Sequence, residues 1–429
     1  MRLGGRTQAA IEVLTDLQKN KRPVSLALKD WGVSHRFAGS GDRAAIGNLV
    51  YDALRQRAST VHVMGSDKPR SIVLGTLLRQ WGYKPDTLLK AFVGDRFAPE
   101  HLTEESFAKF DPDRLAAAEP HIQADIPQWC VASFEENFAD DWVAEARAFT
   151  RRPSLDLRAN TLKADQAKVL KALKKAGAKS AEIARYGIRI PPGSGPSRTP
   201  NVEAEAGYQK GWFEVQDEGS QIVADLVFPQ PGEQVLDYCA GAGGKTLALG
   251  AAMQNKGQIH AYDRDRSRLK PIYERIKRAG LRNVQVHSPD DDLSALAGSM
   301  HKVVVDAPCT GSGTWRRRPD AKWKLTAENL AERVREQEEA LSEAAPFVRP
   351  GGFLIYITCS VFPEENEAQV YALCEDSPEF ELVSAGEVWQ DLFGFEKAQP
   401  WSSDMKTITL TPASTNTDGF FFSVMERRG

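Results

Sequence analysis

The amino-acid sequence predicts an α/β protein: a mostly parallel sheet with helices on both faces, preceded by a helical bundle and a small α+β module. Three observations support this prediction. Segments typical of strands and of helices alternate from residue 213 to residue 429. A glycine-rich turn directly follows the first long strand of that series. The first part of the chain, by contrast, repeats the apolar spacing of amphipathic helices.

Residues 1–125 are predicted to form an all-α bundle. In residues 42–59, Asp42 is the expected N-cap of a helix whose apolar side chains share one face. These side chains are Ile46, Leu49, Val50, Ala53 and Leu54. Residues 7–19 and 71–83 repeat the pattern. Several helices of this kind bury their apolar faces against one another, which indicates a bundle.

Residues 126–212 are predicted to form a small α+β module. Two short helices are expected first, followed by a strand in residues 153–163, where polar and apolar residues alternate. Residues 164–178 have helical spacing. Residues 191–200 are expected to be a loop because they are rich in proline, glycine and serine.

Residues 213–429 are predicted to form the sheet and the helices that cover it. Strands that alternate with helices pair in parallel, and the loops beyond their carboxyl ends usually carry the function. A long charged helix is expected in residues 326–348, between two of the strands. The last two apolar segments, residues 405–412 and 418–427, are expected to close the sheet as a hairpin.

Composition is that of an ordinary soluble globular protein, with a net charge of −3. The first ten residues lack the apolar run of a signal peptide, and no segment has the apolar length needed to span a membrane. The five cysteines include no C-x-x-C pair, so neither a disulfide framework nor a metal site is expected. A cytoplasmic protein is therefore predicted.

Charge is distributed unevenly along the chain. Residues 1–60 contain ten Lys and Arg residues but only five Asp and Glu residues. A basic surface in this part of the bundle suits a phosphate backbone. Charge alone fits a solvated helical surface equally well.

A glycine loop follows the first strand of the parallel series, in the stretch "LDYCAGAGGKT" (236–246). Its end resembles a P-loop, but a P-loop requires a glycine at position 239, where this sequence has Cys239. Asp263 ends the next strand at the spacing that suits hydrogen bonds from ribose hydroxyls. Asp290 and Asp306 end the two strands that follow. The pattern predicts an adenosine-bearing cofactor, either a nicotinamide dinucleotide or S-adenosylmethionine.

Two of the apolar strands end near a cysteine: Cys309 in "DAPCTGSGT" and Cys359 in "YITCSVFPEEN". An isolated cysteine at such a position is usually a small buried apolar side chain. A thiolate there is also a strong nucleophile presented to the ligand crevice. If a thiolate adds to carbon 6 of cytosine, carbon 5 becomes able to attack an electrophilic methyl group. A second thiol nearby suits the later release of the product.

The motifs "LDYCAGAGGKT", "DAPCTGSGTWRRRPD", "YITCSVFPEENE", "VQDEGSQ" and "TDGFFF" resemble those of the RNA cytosine-5 methyltransferases of the Sun/Fmu (RsmB-like) family, and they occur in the same order. The resemblance covers about residues 212–429. It implies a class I S-adenosylmethionine methyltransferase domain of Rossmann-like fold in residues 213–429. Residues 1–125 resemble the NusB-like RNA-binding domain of the bacterial ribosomal-RNA members, and residues 126–212 resemble the RNA-recognition-like insert of the family.

The resemblance also implies roles for individual residues. Cys359 would be the nucleophile, and Cys309 would promote resolution of the covalent adduct. Lys245 and Asp306 would in addition touch the target cytosine. The residues implied for the S-adenosylmethionine site are Cys239, Ala240, Gly241, Ala242, Gly243, Gly244, Lys245, Asp263, Asp290 and Asp306.

The sequence departs from the family pattern at two points in the donor site. The family loop usually has a proline between its alanines and glycines, whereas residues 240–244 read Ala-Gly-Ala-Gly-Gly, which should loosen the loop. The family usually has Gly-Asp after the third strand, whereas this chain has a run of three aspartates, Asp290 to Asp292. Asp290 is chosen there over Asp291.

Three arginines, Arg316, Arg317 and Arg318, follow the Cys309 loop and are predicted to bind RNA phosphates, with a solvated basic turn as the alternative. Trp315 and Trp323 suit base stacking, although tryptophans in such a pattern are more often part of a core.

The function expected from the resemblance is methylation of carbon 5 of a cytosine in RNA, with 16S ribosomal RNA favoured over transfer RNA. A monomer that uses S-adenosylmethionine and no metal is expected. A non-catalytic RNA-binding assembly factor and a nicotinamide-dependent oxidoreductase are the alternatives from other classes. Neither of them requires two thiol motifs of this kind.

Overall fold

A computed structural model describes residues 1–100 and 102–429, and this part of the chain forms two compact units. The helical unit consists of Met1–Arg152, Pro192–Pro200 and Trp315–Leu325. The sheet unit consists of Pro153–Pro191, Asn201–Thr314 and Thr326–Gly429. The predicted domain boundaries at residues 125 and 212 divide the chain into contiguous segments, whereas each compact unit combines several separate segments. These boundaries stay predictions.

Within residues 1–100 and 102–152, the N-terminal part of the helical unit contains nine α-helices. They are α1 (Leu3–Asn20), α2 (Val24–Ser34), α3 (Ser40–Arg55), α4 (Arg57–Met64), α5 (Pro69–Arg79), α6 (Pro85–Phe92), α7 (Pro120–Gln123), α8 (Val131–Phe138) and α9 (Trp142–Ala148). Buried apolar side chains of α1 to α6, among them Ala10, Leu49 and Leu77, pack into one core. The predicted bundle of amphipathic helices is therefore confirmed.

The prediction that Asp42 is an N-cap is wrong. Helix α3 begins at Ser40, with Gly39 as its N-cap, and Asp42 lies in the first turn. There the Asp42 carboxylate accepts a hydrogen bond from the Gly39 backbone N–H at 3.3 Å. It also accepts from the N-terminal ammonium and from Arg6. A carboxylate in the first turn benefits from the helix dipole as an N-cap does, so the two positions look alike in sequence.

The first part of the sheet unit is a four-stranded antiparallel sheet with the strand order β2-β3-β1-β4. Its elements are β1 (Leu155–Ala159), α10 (Gln166–Ala172), β2 (Lys179–Ser180), β3 (Gly187–Ile190), α11 (Ala206–Gln209) and β4 (Phe213–Val215). Leu157, Val169 and Phe213 lie in its core. The strand and helix predicted in residues 153–178 are both present.

The larger sheet contains eight strands, β5 to β12, with helices between them. The elements are α12 (Glu218–Leu226), β5 (Gln234–Asp237), α13 (Gly244–Ala252), β6 (Gln258–Ala261), α14 (Arg266–Leu269), α15 (Ile272–Ala279), β7 (Val284–Val286), β8 (Met300–Asp306), α16 (Pro319–Lys324, in the helical unit), α17 (Ala327–Ala344), β9 (Val348–Thr358), α18 (Glu367–Asp376), β10 (Phe380–Leu382), α19 (Ala385–Phe393), β11 (Thr407–Leu410) and β12 (Phe420–Arg427).

Strands β5 to β9 form the parallel part of this sheet, as the alternation of strands and helices predicted. The strand order is β10-β12-β9-β8-β5-β6-β7, and β12 runs antiparallel to β9. Strand β11 pairs with β12 in antiparallel register, for example Ile408 opposite Phe422. The predicted closing hairpin is therefore present at the carboxyl end of the chain.

Both faces of the large sheet are covered by apolar layers, because successive side chains of a strand point to opposite faces. On β8, Val304 lies in one layer, whereas Val303 and Val305 lie in the other. Leu249 of α13 and Trp389 of α19 belong to the layer of Val304. The opposite layer includes side chains of α17 and β12. Because both faces of the sheet are covered, the carboxyl ends of the parallel strands form the edge that is open to a ligand.

No helix in the described part of the chain is both long and apolar enough to cross a membrane. The same residues contain no group of three or more His, Cys, Asp or Glu side chains arranged to hold a metal ion.

Candidate active site

The predicted site residues of the sheet unit lie in loops that follow the carboxyl ends of β5, β6, β7, β8 and β9. Residues 239–245 follow β5, and Asp263 lies two residues beyond the end of β6. Asp306 is the last residue of β8, and Cys359 directly follows β9. Because these strands are parallel neighbours, their loops share one edge of the sheet, where ligands of α/β proteins bind.

The glycine loop turns sharply between β5 and α13. The Ala240 backbone N–H donates to the Tyr262 carbonyl at 2.8 Å, and the Gly243 N–H donates to the Ala240 carbonyl at 2.8 Å. Gly241 and Gly243 have φ angles of +49° and +84°, which residues with a Cβ rarely adopt. A Cβ at Gly243 would also lie 2.6 Å from the Ile272 side chain. Glycine is therefore required at this turn.

Asp263 joins the second strand end to the glycine loop. Its side chain is almost fully buried, and its carboxylate accepts hydrogen bonds from the backbone N–H groups of Gly241, at 3.0 Å, and Asp265, at 2.9 Å. Arg268 lies 3.5 Å from one carboxylate oxygen. Tyr238, Cys239 and Asp263 line a small cavity at this point.

The glycine loop and the Asp263 carboxylate together fit an adenosine-bearing cofactor. A carboxylate beside a glycine loop suits ribose hydroxyls, and the missing side chains of the loop let a ligand approach the backbone closely. Burial raises the pKa of the Cys239 thiol, with the neighbouring carboxylates acting in the same direction. Cys239 lies in the wall of this cavity.

Asp290 lies apart from this arrangement. Its side chain is 81% exposed, and its carboxylate pairs with the Arg266 guanidinium at 2.5 Å. The neighbouring Asp291 accepts a hydrogen bond from the Ser288 backbone N–H at 2.9 Å. Neither carboxylate lies in the wall of the cavity beside Asp263. The role of Asp290 toward the cofactor stays a prediction.

Lys245 and Asp306 form a polar pair at the ends of β5 and β8. The buried Lys245 ammonium lies 3.1 Å from the Asp306 carboxylate and donates to the Ser220 hydroxyl at 3.0 Å. It also lies 5.2 Å from the centre of the Phe420 ring. The Asp306 side chain is 32% exposed, so its carboxylate is open to a ligand.

The two thiols are in contact. The Sγ atoms of Cys309 and Cys359 lie 3.3 Å apart and share a hydrogen bond. That hydrogen bond, together with burial and the charge of Glu365, raises the pKa of Cys309. Either sulfur can be the donor in this hydrogen bond. The contact brings the two predicted thiols together, and the role of Cys359 as the nucleophile stays a prediction.

The arginine run belongs to the helical unit. Arg316 is only 2% exposed, and its backbone carbonyl accepts a hydrogen bond from Arg55 at 2.7 Å. Arg317 is partly exposed and Arg318 is exposed. The surface that this run offers to a phosphate backbone is therefore at Arg317 and Arg318.

The two tryptophans near this run are packed in the helical unit. Trp315 is 1% exposed, and its ring stacks on Phe134 with 5.9 Å between the ring centres. The Trp323 indole donates to the Leu54 carbonyl at 2.7 Å. This agrees with the expectation that such tryptophans belong to a core.

Several site residues were missed by reasoning from sequence. Ser220 and Phe420 lie in the motifs "VQDEGSQ" and "TDGFFF", which were noted only for their resemblance to the family. Asp237 ends β5, where burial raises the pKa of its carboxyl to about 7 while the Thr246 hydroxyl donates to it at 2.6 Å. Glu365, in "VFPEEN", is fully buried between the two cysteine loops. The available signal was that these residues lie inside the motifs, but the sequence does not show which partners their side chains contact.

Two family profiles match this chain. Residues 224–426 match the family described as 16S rRNA methyltransferase RsmB/F. Residues 126–192 match the ferredoxin-like domain described for RsmF/B-like methyltransferases. The first match includes nearly all of the larger sheet, and the second includes β1, β2 and β3 of the smaller one.

Curated relatives carry the same description. The chain is 30% identical over 328 residues to a probable ribosomal RNA small subunit methyltransferase B from Synechocystis sp.. The aligned region covers 74% of this chain and 69% of that relative. It is 32% identical over 308 residues to ribosomal RNA small subunit methyltransferase B from Cronobacter sakazakii, covering 70% of this chain and 66% of the relative.

Solved structures are similar over most or all of the chain. The crystal structure of PH0851 covers 100% of both chains, with a TM-score of 0.74 and 25% identity. A methyltransferase homolog protein from Pyrococcus horikoshii covers 74% of this chain and 100% of its own, with a TM-score of 0.58 and 26% identity. NSun6 from the same organism, solved with SFG, shares the fold, with a TM-score of 0.59 and 21% identity over 71% of this chain.

Proposed function

Because this chain belongs to the RsmB/F family of ribosomal RNA small-subunit methyltransferases, we propose that it methylates carbon 5 of a cytosine in 16S ribosomal RNA through a covalent bond to Cys359. The observation that carries this proposal is the contact between two thiols at the carboxyl ends of neighbouring parallel strands, 3.3 Å apart. Methylation of RNA needs no such pair when the acceptor atom is itself a good nucleophile. Carbon 5 of cytosine is a poor one.

The enzyme takes its methyl group from S-adenosylmethionine. When bound, this cofactor supplies an electrophilic methyl group. The glycine loop of residues 239–245 and the carboxylate of Asp263 are the groups that would hold it, because they fit an adenosine ribose at a strand end.

The proposed reaction begins at Cys359. Its thiolate adds to carbon 6 of the cytosine, and the electron pair of the 5,6 double bond becomes available at carbon 5, which then takes the methyl group. Release requires loss of the carbon 5 proton and cleavage of the sulfur–carbon 6 bond, which restores the double bond and the thiolate. Cys309 supports this last step because its sulfur already touches the one that leaves.

Lys245 and Asp306 support recognition of the base. Asp306 is a partly exposed carboxylate, and its partner Lys245 is a buried ammonium, at the edge of the sheet that carries both thiols. A carboxylate accepts hydrogen bonds from the exocyclic amine of cytosine, and the ammonium donates to ring acceptors. We propose these two contacts for the target base.

The target cytosine must be unpaired or flipped out, since carbon 6 is inaccessible inside a stacked helix. We propose that the ferredoxin-like sheet contributes to binding of the surrounding RNA. Residues 163–179 contain six lysines and a single acidic residue, Asp165, although the whole chain has a net charge of −3. All six lysine side chains are exposed. Such a local excess of positive charge suits a phosphate backbone.

The proposed activity is tested with unmodified small-subunit ribosomal RNA and labelled S-adenosylmethionine. We expect 5-methylcytosine in the RNA after digestion to nucleosides. Label in transfer RNA only would show that transfer RNA is the substrate. Label at a position other than carbon 5 of cytosine would overturn the proposed site of methylation. Binding of RNA without any methylation would instead favour a non-catalytic assembly factor.

The roles of the thiols are tested by substitution. Cys309→Ala should trap a covalent protein–RNA adduct that survives denaturing electrophoresis, because addition proceeds but release is slowed. Cys359→Ala should form no adduct and no product. The reverse pattern would show that the two roles are exchanged.

A further inference from the structure

Glu365 is a fully buried carboxylate that the proposed reaction does not use. It lies six residues after Cys359, in the turn that follows β9. Its carboxylate accepts hydrogen bonds from the Thr310 backbone N–H at 2.7 Å and from the Thr310 hydroxyl at 2.5 Å. It also accepts from the Gln337 amide at 3.0 Å and from the Ser360 hydroxyl. Its two oxygens therefore have four donors.

These donors come from both thiol loops. Thr310 directly follows Cys309, and Ser360 directly follows Cys359. The Gln337 amide, on α17, in addition donates to the Pro308 carbonyl at 2.8 Å, on the other side of Cys309. Glu365 is thus bonded both to the residue after Cys309 and to the residue after Cys359.

Further bonds join the same two loops. The Ser312 and Ser360 hydroxyls lie 2.9 Å apart, and the Ser312 hydroxyl accepts from the Val361 backbone N–H at 2.8 Å. The Gly313 backbone N–H donates to the Cys359 carbonyl at 3.0 Å. The contact between the two sulfurs lies inside this web.

The loop that contains Cys359 is also held by hydrogen bonds that do not involve Glu365. The Asn366 amide donates to the Ser360 carbonyl at 3.1 Å, and the Ser360 backbone N–H donates to the Thr358 hydroxyl at 3.1 Å. The Thr358 hydroxyl in turn donates to Asn366 at 2.6 Å. Removal of Glu365 would therefore free the Cys309 loop more than the Cys359 loop.

A buried carboxylate is costly, and an apolar side chain of similar shape often stabilises a protein more. The stability of the fold therefore does not explain why Glu365 lies between the two loops, whereas a role in holding the two loops in place does. We propose that Glu365 is a positioning residue that binds both thiol loops at once and so holds the Cys309 sulfur against the Cys359 sulfur. This inference rests on the proposed function, since release of the adduct is the step that needs the contact.

The charge of Glu365 adds a second effect. It is one of the causes that raise the pKa of Cys309, after the hydrogen bond to Cys359 and burial. The carboxylate thus contributes to the electrostatic environment of Cys309 as well as to its position.

Two substitutions separate these effects. Glu365→Ala removes the two carboxylate oxygens and the four hydrogen bonds that they accept, while the Ser312–Val361 and Gly313–Cys359 bonds remain. Glu365→Gln removes the charge but keeps an oxygen for Thr310, while its amide can donate to the Ser360 hydroxyl, which can turn toward Ser312. Glu214→Ala is the matched control, because Glu214 is also a buried carboxylate but pairs with Arg275 and Arg278 outside the web.

The first measurement is the rate at which the oxidant diamide joins Cys309 and Cys359 in a disulfide. This rate reports the proximity of the thiols and needs no RNA. We expect a decrease of about tenfold in Glu365→Ala, about threefold or less in Glu365→Gln, and none in Glu214→Ala, since displacement by about 1 Å has large effects on such reactions. Thr310→Val, which removes one hydroxyl, gives a graded variant if Glu365→Ala does not fold.

The second measurement is the amount of protein–RNA adduct at steady state. Glu365→Ala should accumulate adduct as Cys309→Ala does, whereas a variant that is only destabilised should lose adduct and product together. Wild-type rates of disulfide formation in Glu365→Ala, with no accumulation of adduct, would overturn the inference. If Cys309→Ala forms no adduct and the wild type no 5-methylcytosine, the proposed function fails, and the disulfide rates still test the positioning role.

Discussion

At the scale of single residues, the type of a side chain says little about its role in this protein. Cys239, Cys309 and Cys359 all follow strands of one sheet. Burial beside carboxylates raises the pKa of Cys239, and only Cys309 and Cys359 touch each other. The proposed nucleophile is thus distinguished by its neighbour and not by its residue type.

The acidic residues at the strand ends show the same point. Asp263 is nearly fully buried and accepts hydrogen bonds from the glycine loop, whereas Asp290 is exposed and pairs with Arg266. Spacing from the glycine loop identified Asp263. No spacing rule distinguishes Asp290 from Asp291 within a run of aspartates, because the loop conformation decides which carboxylate points where.

Gly313 shows how tightly the Cys309 loop packs on the C-terminal hairpin. The Gly419 backbone N–H donates to the Gly313 carbonyl at 2.7 Å, so the two backbones are in direct contact. A Cβ at Gly313 would lie 2.2 Å from the Gly419 carbonyl oxygen. This contact explains the glycine at position 313 in "TGSG".

Gly313→Ala should therefore displace the Cys309 loop. We expect the free energy of unfolding to fall by about 1–3 kcal/mol, as for other forced overpacking, and methylation to fall with it. Urea denaturation and the methylation assay measure the two effects. Gly41→Ala is the matched control, since a Cβ there, in α3, meets nothing within 4 Å. Equal stabilities of Gly313→Ala and the wild type would contradict this account.

At the scale of secondary-structure elements, strand pairing brings the two thiols together. Strands β8 and β9 are parallel, with Asp306 opposite Ile357, and the Ala307 N–H donates to the Ile357 carbonyl at 2.9 Å. The loops that follow thus start side by side, although Cys309 and Cys359 are 50 positions apart in the chain. Parallel pairing was predictable from the alternation of strands and helices, but the neighbouring position of these two strands was not.

Helix α12 links the two sheets of the sheet unit. The Glu218 carboxylate at its start accepts hydrogen bonds from the backbone N–H groups of Ile183 and Ala184 and pairs with Arg189 at 2.9 Å. One residue earlier, Asp217 accepts from the Gly219 and Asp418 N–H groups. The motif "VQDEGSQ" is therefore a structural junction as well as the source of Ser220.

Helix α10 and the residues around it carry the exposed lysines of the ferredoxin-like sheet. No ion pair between these six lysines and a carboxylate is formed within residues 1–100 and 102–429, and the Lys168 ammonium instead lies 4.1 Å from the centre of the Trp212 ring. Their charge is therefore available to a phosphate backbone.

Replacing Lys168, Lys171 and Lys175 together by glutamine should weaken binding of ribosomal RNA. We expect the slope of log affinity against log salt concentration to decrease by about 0.7–0.9 per lost phosphate contact. Fluorescence anisotropy at several salt concentrations measures this slope. Lys406→Gln, at the amino end of β11, should leave it unchanged. An unchanged slope in the triple variant would show that this helix face does not contact RNA.

At the scale of the whole molecule, the two compact units are not contiguous in sequence. Residues 192–200 lie inside the sheet unit's sequence but pack with the helical unit, where Arg152 donates to the carbonyls of Gly193, at 2.7 Å, and Gly195, at 2.8 Å. Asn48 donates to the Gly195 carbonyl at 3.0 Å and to the Ser197 carbonyl at 2.8 Å. The loop predicted from composition is thus held by the partly buried side chains of Arg152 and Asn48.

Residues 315–325 are the second such segment, and they complete the interior of the helical unit. Trp315 packs on Phe134, and the buried Lys322 ammonium donates to the Arg55 carbonyl at 3.1 Å. Burial lowers the pKa of Lys322 to about 8, whereas the charge of the buried Asp125 opposes this shift. The segment starts six residues after Cys309 in the chain.

A fragment of residues 1–152 should therefore be less stable than the same region in the whole chain. Without the segment, an apolar surface around Phe134 is exposed and Asp125 loses a neighbouring cation. We expect a peptide of residues 315–325, added in excess, to raise the thermal unfolding temperature of the fragment. The same peptide with Trp315→Ala and Trp323→Ala should have no effect. A fragment that is fully stable alone would contradict this view of the helical unit.

The amino-acid sequence by itself determined the alternation of strands and helices, the glycine loop, Asp263 and the two cysteine motifs. These follow from local rules: side-chain periodicity, the conformational freedom of glycine, and the position of polar residues at strand ends. Only the tertiary structure decided which strands are neighbours, that Glu365 bonds to both thiol loops, that Arg316 is buried, and that residues 315–325 join the helical unit. Those features depend on contacts between residues far apart in the chain, which no local pattern records.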